Sequence, residues 1–507
     1  MSALSLSSVL SCLAWAGDSS RSLPEQKWGG HIELEVKKGN ERALQETELF
    51  IPLQQDSRSL LFLNARGVFD DQHSKEGNVG LGYRAMLETP FLGQDWIAGI
   101  YGFADLRRSP NDNNFMQATV GAELLSEDYD LRLNAYIPHA KEQEISGTNN
   151  VTGTLAGTQL RLVGAANQRE RALPGFDAEV GVKLPLLADY VSSMRAYGGG
   201  FYFDADGYDR VAGPRGRFEV SWDDFVSFGE GSRFTLGTEI QHDDVRGRTA
   251  FASARLRIPL QSFKKSQTVK RALSPLERRM TERVVRDVDI VSNVRTGDPV
   301  NEPATITING QQISNVTVLD ANDNLAVDIP AAGAGSTVLL DGSAGTITVG
   351  ATISPAANQN VVGADVELTG ADTGFTGVIG TRPALTAPGL VLFRATQPGV
   401  TLQNIDMTNV DYGISNNAGG AANFTARNLN ISNAATAGIL HFFTGGATYE
   451  NISILDSSNG IALLNVPNST FTNITLGGTG MVSPLWDLGG SSGNVYRNIT
   501  VLNATNH

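Results

Sequence analysis

The sequence predicts an all-β protein in two parts. An N-terminal transmembrane antiparallel β-barrel of about 12 strands is joined by a short pore or linker helix to a C-terminal parallel β-helix. Three observations predict it. Two-residue alternation recurs from Trp28 to Leu260, and an asparagine-centred repeat with a period in the twenties fills the C-terminal part. No stretch after the N-terminus reaches the roughly 20 apolar residues a membrane helix needs, so any crossing must use strands.

Length and composition set the frame. With 507 residues the chain is too long for one ordinary core and divides into at least two domains. Charged residues make up only 18%, there are 55 glycines, and lysine is absent after Lys270. From Thr296 onward 14 Asp and Glu face 4 Arg, a net of −10. That acidity argues against nucleic-acid binding, which calls for clustered basic charge. The single cysteine, Cys12, excludes disulfide frameworks and zinc spacings. It sits in an apolar stretch, Ala3 to Ala16, that is too short to span a membrane and ends in Ala14-Trp15-Ala16, the small-x-small pattern of a cleavage site. Residues 1–16 therefore read as a secretory signal, although the basic n-region is missing. Cys12 as an acylated lipoprotein cysteine is the alternative, and Leu10 is bulky for that motif.

Residues 28–263 read as the barrel. Met116, Ala118, Val120, Ala122 and Leu124 alternate with Gln117, Thr119, Gly121 and Glu123; Leu131, Leu133, Ala135 and Ile137 alternate with Asp130, Arg132, Asn134 and Tyr136. Phe176 to Leu184 and Ala250 to Ile258 repeat the pattern. A soluble antiparallel sheet would show the same alternation, having one dry and one wet face. Two features favour a membrane: Ala and Gly crowd the apolar face, and Phe91, Trp96, Tyr129, Tyr208, Trp222 and Phe228 near segment ends fit interfacial girdles. Thirteen candidate strands can be drawn. Single-chain bacterial barrels use even numbers, so twelve is expected.

The alternation stops after Leu260, and residues 264–296 read as a helical linker threading a pore. Ser274-Pro275-Leu276-Glu277 combines an N-cap serine, a proline at the first helical position and a capping-box glutamate. Leu276, Met280, Val284 and Val288 recur every four residues, with Arg278, Arg279, Glu282, Arg283, Arg286 and Asp287 over much of the remaining surface. Such a helix is either a solvated connector or one that runs through a polar lumen and meets ionised partners there. Spacing alone does not decide between them.

These pieces together carry a family resemblance. Glu48-Leu49-Phe50-Ile51-Pro52-Leu53, Gly80-Leu81-Gly82-Tyr83-Arg84, Gly99 to Asp105, Leu133 to Pro138, Ala172 to Glu179 and Glu277 to Ile290 make residues 28 to 295 resemble the intimin/invasin family of inverse autotransporters. The resemblance implies a signal peptide, a twelve-stranded outer-membrane barrel, a segment around Ser274 to Arg295 in the pore, and a role in exporting the region behind it. It also implies outer-membrane lipid, barrel-assembly machinery and periplasmic chaperones as partners, and a passenger outside the cell. No peptidoglycan-binding module precedes the barrel, and neither immunoglobulin-like repeats nor a lectin-like domain with paired cysteines follows it. Host-receptor binding is not carried over.

Residues 297–507 read as a β-rich passenger, with β-helix repeats from about 399. Asn404, Asn428, Asn451, Asn473 and Asn498 each sit in an x-x-Asn-apolar-x-apolar block, spaced 24, 23, 22 and 25 residues apart. That period with short strands marks a solenoid of one rung per repeat. Asparagine suits the turn because it adopts left-handed backbone, and stacked amides can bond as a ladder. Several also read N-x-[ST], but the repeat already accounts for them. The chain ends one strand into a rung, so the natural passenger is expected to be longer.

β-Helices also carry polysaccharide lyases and hydrolases, so catalysis must be argued from a site. The acids of the repeat are Asp406, Asp411, Glu450, Asp456 and Asp487, and Asp406 with Glu450 is too weak a pair to assign. His441 reads as packed beside Phe442 and Phe443. No catalytic residue, cofactor or metal site is assigned. The expectation is an adhesin of unknown carbohydrate or protein ligand, with a surface-anchored carbohydrate-active enzyme as the alternative.

Overall fold

Alternating side chains and closed hydrogen bonding decide the first part of the chain. The computed structural model describes residues 27–503 apart from 89, 91–92, 188, 225–229, 261–272 and 417–420; the signal segment, Cys12, Phe91 and Phe228 lie outside the described residues. Twelve strands form a closed antiparallel barrel: His31–Gly39, Ala43–Gln55, Ser59–Asp70, Lys75–Met86, Ile97–Arg108, Asn114–Leu125, Tyr129–Pro138, Gly175–Lys183, Ser193–Phe203, Val211–Asp223, Arg233–Asp243 and Gly247–Pro259. Each pairs with its chain neighbours, and the first closes on the last, with His31 opposite Pro259 and Leu34 opposite Leu256. Closure leaves no unpaired edge, the condition for strands in hydrocarbon.

The barrel is inside out in polarity. Glu33, Glu48, Asn64, Arg84, Glu123 and Arg132 point inward and are buried, while Val36, Ile100 and Met116 are 58%, 64% and 66% exposed. A soluble sheet buries its oily face. Here the oily face is the outer one, as a surrounding hydrocarbon requires. The girdle expectation is corrected in part. Tyr129 is exposed, but Trp96 and Tyr208 are buried, Tyr208 against Tyr136 and Phe203. Both lie in connections, where two-residue alternation no longer tells inside from outside.

The chain divides into two units, residues 1–147 with 168–296, and residues 148–167 with 297–507. The barrel region is thus interrupted: residues 148–167, between the seventh and eighth barrel strands, belong to the passenger unit. There, strands Asn150–Ala156 and Gln159–Ala165 form a hairpin that joins Pro299–Ile308, Gln311–Ile313, Val366–Gly370 and Thr376–Ile379 in one antiparallel sheet. Leu160, Leu162, Val300, Ile306 and Leu368 are among its buried core.

The coil starts well before residue 399. Thr317–Leu319, Thr337–Leu340, Asn360–Gly363, Thr401–Asn416, Thr425–Phe442, Thr448–Leu455, Thr470–Gly477 and Val495–Leu502 pair in parallel, one rung on the next. The hairpin Val366–Gly370 with Thr376–Ile379 is inserted between the third and fourth of these, and this hides the period from the sequence. Helix Leu325–Ala331 closes the N-terminal end with buried Leu325 and Ile329, as a solenoid cap must. Along the core, Tyr449 stacks on Phe471 at 5.0 Å and Phe471 on Tyr496 at 5.0 Å.

The outward polarity makes a direct prediction. Leu81→Arg, mid-strand and 51% exposed, would be harmless on a wetted sheet but costs roughly 2–4 kcal/mol at a bilayer midplane. The expected result is a reduced yield of the heat-modifiable, SDS-resistant band in membrane fractions, with Asn78→Ser as an inward-facing comparison.

Candidate functional site

Residues 273–291 run through the lumen, beside a cavity of about 420 Å³ lined by Arg195, Glu219, Arg255 and Arg283 among others. Ser274 opens this segment with the expected capping box: its Oγ accepts from Glu277 N at 3.2 Å, and Glu277 Oε2 accepts from Ser274 N at 2.8 Å. Lys27 pairs with Glu277 at 2.6 Å, and Trp28 Nε1 donates to the Glu277 carbonyl at 2.9 Å. The helix is shorter than the four-residue recurrence suggests. It spans Pro275–Arg278, continues as one 3₁₀ turn, Arg279–Thr281, turns extended at Glu282 and then runs on without helix, with a bend at 288–289.

Barrel height explains the change. Twelve-residue strands at about 3.4 Å per residue, tilted about 40°, give a wall roughly 30 Å tall. Ten extended residues cross that distance, whereas a helix would need about twenty. Along the crossing, Met280 and Val284 pack with Trp28, Phe50 and Phe62, Val288 with Leu44, Val68 and Phe251, and Val291 with Tyr136, Leu173 and Tyr208. The apolar recurrence was real, but it meets successive levels of the wall rather than one helix face.

Charge fixes the thread in place. Arg279 donates to Asp130 and to the Ser126 carbonyl. Arg283 is clasped by Glu35, Glu46 and Glu48. Arg286 pairs with Asp105 at 2.8 Å and lies over the Phe103 ring. Arg278 sits at the rim, 2.9 Å from Asp224. Asp287 is buried; its Oδ1 accepts from Val288 N, and its backbone N donates to Tyr136 Oη at 2.7 Å. Two linker acids missed as site residues also make ion pairs: Glu282 with Arg233 at 2.6 Å, and Asp289 with Arg42 at 2.6 Å. For Glu282 the signal was present as Arg233 on an alternating strand, whereas Arg42 lies in the turn between the first two strands, where alternation gives none.

An extended backbone without a sheet partner still needs hydrogen bonds. The wall supplies them through side chains. Arg84 donates to the Met280 and Glu282 carbonyls at 3.0 and 2.6 Å, Asn134 to Val285 O at 3.1 Å, and Arg66 to Val288 O at 3.0 Å. The Gly80-Leu81-Gly82-Tyr83-Arg84 motif shows how the sequence does this. Leu81 and Tyr83 face outward and Arg84 inward, while a Cβ on Gly82 would lie 2.2 Å from the Phe62 ring. At the far rim, Ser292–Arg295 pairs with Arg169–Ala172, which also pairs with Gln143–Glu144.

In the passenger, the five repeat asparagines take left-handed backbone, with φ between 51° and 58°. Asn451, Asn473 and Asn498 each donate to the amide oxygen of the preceding one, at 2.8–3.0 Å. Asn404 differs: it donates to Ala364 O at 2.6 Å and accepts from Arg382. A second corner five residues on, at Asn409, Asn433, Asp456, Gly478 and Asn503, also has positive φ. It escaped notice because three residue types share it. The acids have structural partners. Asp406 accepts from Arg382 and Asn430, Glu450 from Arg427, Asp411 from Thr436 and Asp456 from the backbone of Thr479. Asp406 lies beside Asn430 in the ladder, whereas Glu450 lies beside Arg427, so the two belong to different columns.

His441 is fully buried, against Tyr449 rather than the exposed Phe443. Tyr449 Oη lies 2.9 Å from Nδ1, and Asn416 Nδ2 lies 2.8 Å from Nε2. Thr444 Oγ1 also lies 2.9 Å from Nε2, so both ring nitrogens have polar partners. Burial lowers its pKa to about 4.

Residues 20–198 match the family described as inverse autotransporter, beta-domain, a span containing the first eight barrel strands. No curated protein matches. Among solved structures, the chain is similar to a membrane-protein chain from a study of in-meso crystallization, at 16% identity and TM-score 0.38, covering 53% of this chain and 100% of that one. It is also similar to the translocator domain of autotransporter NalP from Neisseria meningitidis, at 9% identity and TM-score 0.22, covering 50% and 92%.

Two predictions follow from the thread and the buried imidazole. Arg283→Ala leaves Glu35, Glu46 and Glu48 facing one another without their cation, a loss of about 3–5 kcal/mol for a broken buried pair. The barrel's SDS-resistant band should unfold at a lower temperature and single-barrel conductance should rise, whereas rim variant Arg278→Ala should change neither. For His441, the folded pKa lies below the ordinary 6.5, so the native state refuses a proton that the unfolded chain takes. Its contribution is whole above about pH 6.5 and falls by about 3 kcal/mol as pH drops toward 4. Passenger protease resistance should decline over that window, less steeply in His441→Gln; parallel declines would exclude the histidine.

Proposed function

We propose that this chain is an outer-membrane translocator that exports its own C-terminal β-helix and displays it outside the cell as an adhesin, a reading supported by the match of residues 20–198 to the inverse autotransporter β-domain. The observation that carries the reading is the threaded lumen. The linker enters beside Trp28, at the rim where the barrel begins and ends, and leaves between Tyr208 and Leu173 at the opposite rim. A segment so threaded crosses the barrel from the rim where it begins and ends to the opposite one.

The membrane itself is the first partner, met by the outward Val, Leu and Ile side chains. By resemblance to the family, a cleaved signal at 1–16, periplasmic chaperones and a barrel-assembly machinery bring the chain there. Adhesion is favoured over chemistry because the repeat-region acids are held by arginines, amides and hydroxyls that keep the rungs in register. A rigid acidic coil offers a long polar surface to a carbohydrate or protein ligand.

The test is an epitope placed in the exposed turn after Asp372, probed with antibody on intact cells. The expected outcome is labelling of intact cells by the full chain and none when strand Gly247–Pro259 is deleted. Labelling only after the outer membrane is permeabilised would sink the export reading. Retention of displaying cells on glycan- or protein-coated surfaces, lost when residues 399–503 are removed, checks adhesion.

A further inference from the structure

We propose that the hairpin of strands Asn150–Ala156 and Gln159–Ala165 is a folding template for the passenger, the preformed edge on which the first exported strand pairs and from which the coil grows. The proposal rests on the translocator reading, since it assigns the event that follows threading. The hairpin is encoded between the seventh and eighth barrel strands, so it is made before residue 297 exists. Yet it folds with the passenger.

What it offers is an unsatisfied edge. Strand Gln159–Ala165 pairs with Pro299–Ile308 from Arg161 opposite Pro303 to Ala165 opposite Pro299, and Leu160 and Leu162, 1% and 0% exposed, share a core with Val300 and Ile306 of that strand. Arg161 donates from Nη2 to Asn301 Oδ1 at 2.8 Å and to its carbonyl at 3.0 Å. A two-stranded hairpin alone is marginal, so the edge gains most from capturing a third strand by β-augmentation.

Order of emergence makes this pairing the first available. The other partners of Pro299–Ile308 are Gln311–Ile313 and Val366–Gly370, both later in the chain. The register is already set. Ser292–Arg295 is held with Arg295 opposite Arg169, and four residues forward on one strand and four back on the other give Pro299 opposite Ala165. A short tether of this kind replaces a long loop closure with a nearly local event. Backbone space is tight at the start of the ladder, where a Cβ on Gly297 would sit 2.1 Å from Ala166 O. Once formed, the ladder also opposes return of the chain into the lumen.

The test uses the full chain in cells, with Cys12→Ser and a cysteine pair from Val163→Cys and Asn301→Cys, which are directly opposed. In a pulse-chase, the crosslink should form before a trypsin-resistant coil appears; a crosslink that forms only with or after the resistant coil overturns the template. A second variant replaces residues 150–165 with a Gly-Ser spacer of equal length. The barrel band should stay heat-modifiable, and the passenger should reach the surface but acquire resistance at least tenfold more slowly. Resistance at the unaltered rate overturns the proposal while leaving the translocator reading intact. A parent chain whose passenger never reaches the surface overturns both.

Discussion

The constraint on which the rest depends is that a twelve-stranded barrel with a hydrocarbon-facing outside must put its charges inside, and those charges must find partners there. Glu35, Glu46 and Glu48 cannot share a wall without a cation between them, and Arg283 from the threaded segment is that cation. The relation is mutual. The thread has no strand beside it, so its carbonyls depend on Arg84, Asn134 and Arg66 of the wall. Wall and thread are therefore one polar core, built from a dozen strands and one extended chain.

Much of this was legible in the sequence because a barrel strand has a period of two and a fixed inside and outside. Alternation gave the strands, and parity gave the polar residues that became the lumen. The capping box at Ser274 was legible for the same reason: its atoms are all local. The length of the helix was not. Leu276, Met280, Val284 and Val288 satisfy a helical period, but the distance to be crossed and the carboxylates waiting along it are set by strands far away in sequence. Trp96 and Tyr208 misled for a related reason, since parity has no meaning in a connection.

The passenger shows the same division between local and distant information. Asparagine at a left-handed corner is a local preference, so the ladder from Asn428 to Asn498 could be read directly. The earlier rungs at Thr317, Thr337 and Asn360 were hidden by an inserted hairpin that lengthens one turn of the coil. The assignment of residues 148–167 was hidden more deeply. Nothing in a strand pair betrays that its third strand lies more than a hundred residues later, and only the fold reveals that Leu160 and Leu162 need Val300 and Ile306 to cover them.

The extended form of the linker has a mechanical consequence. A pull on the chain beyond residue 296 is borne by the linker, and a helix under tension can pay out from about 1.5 Å to about 3.3 Å per residue before it becomes taut. Residues 282–291 hold no helix that could unwind. Load along the linker meets Arg279, Arg283 and Arg286 as successive cleats spaced down the bore, and to slip, the segment would have to draw each guanidinium off its carboxylate. The anchor is stiff along the pull for the same reason that it is threaded at all.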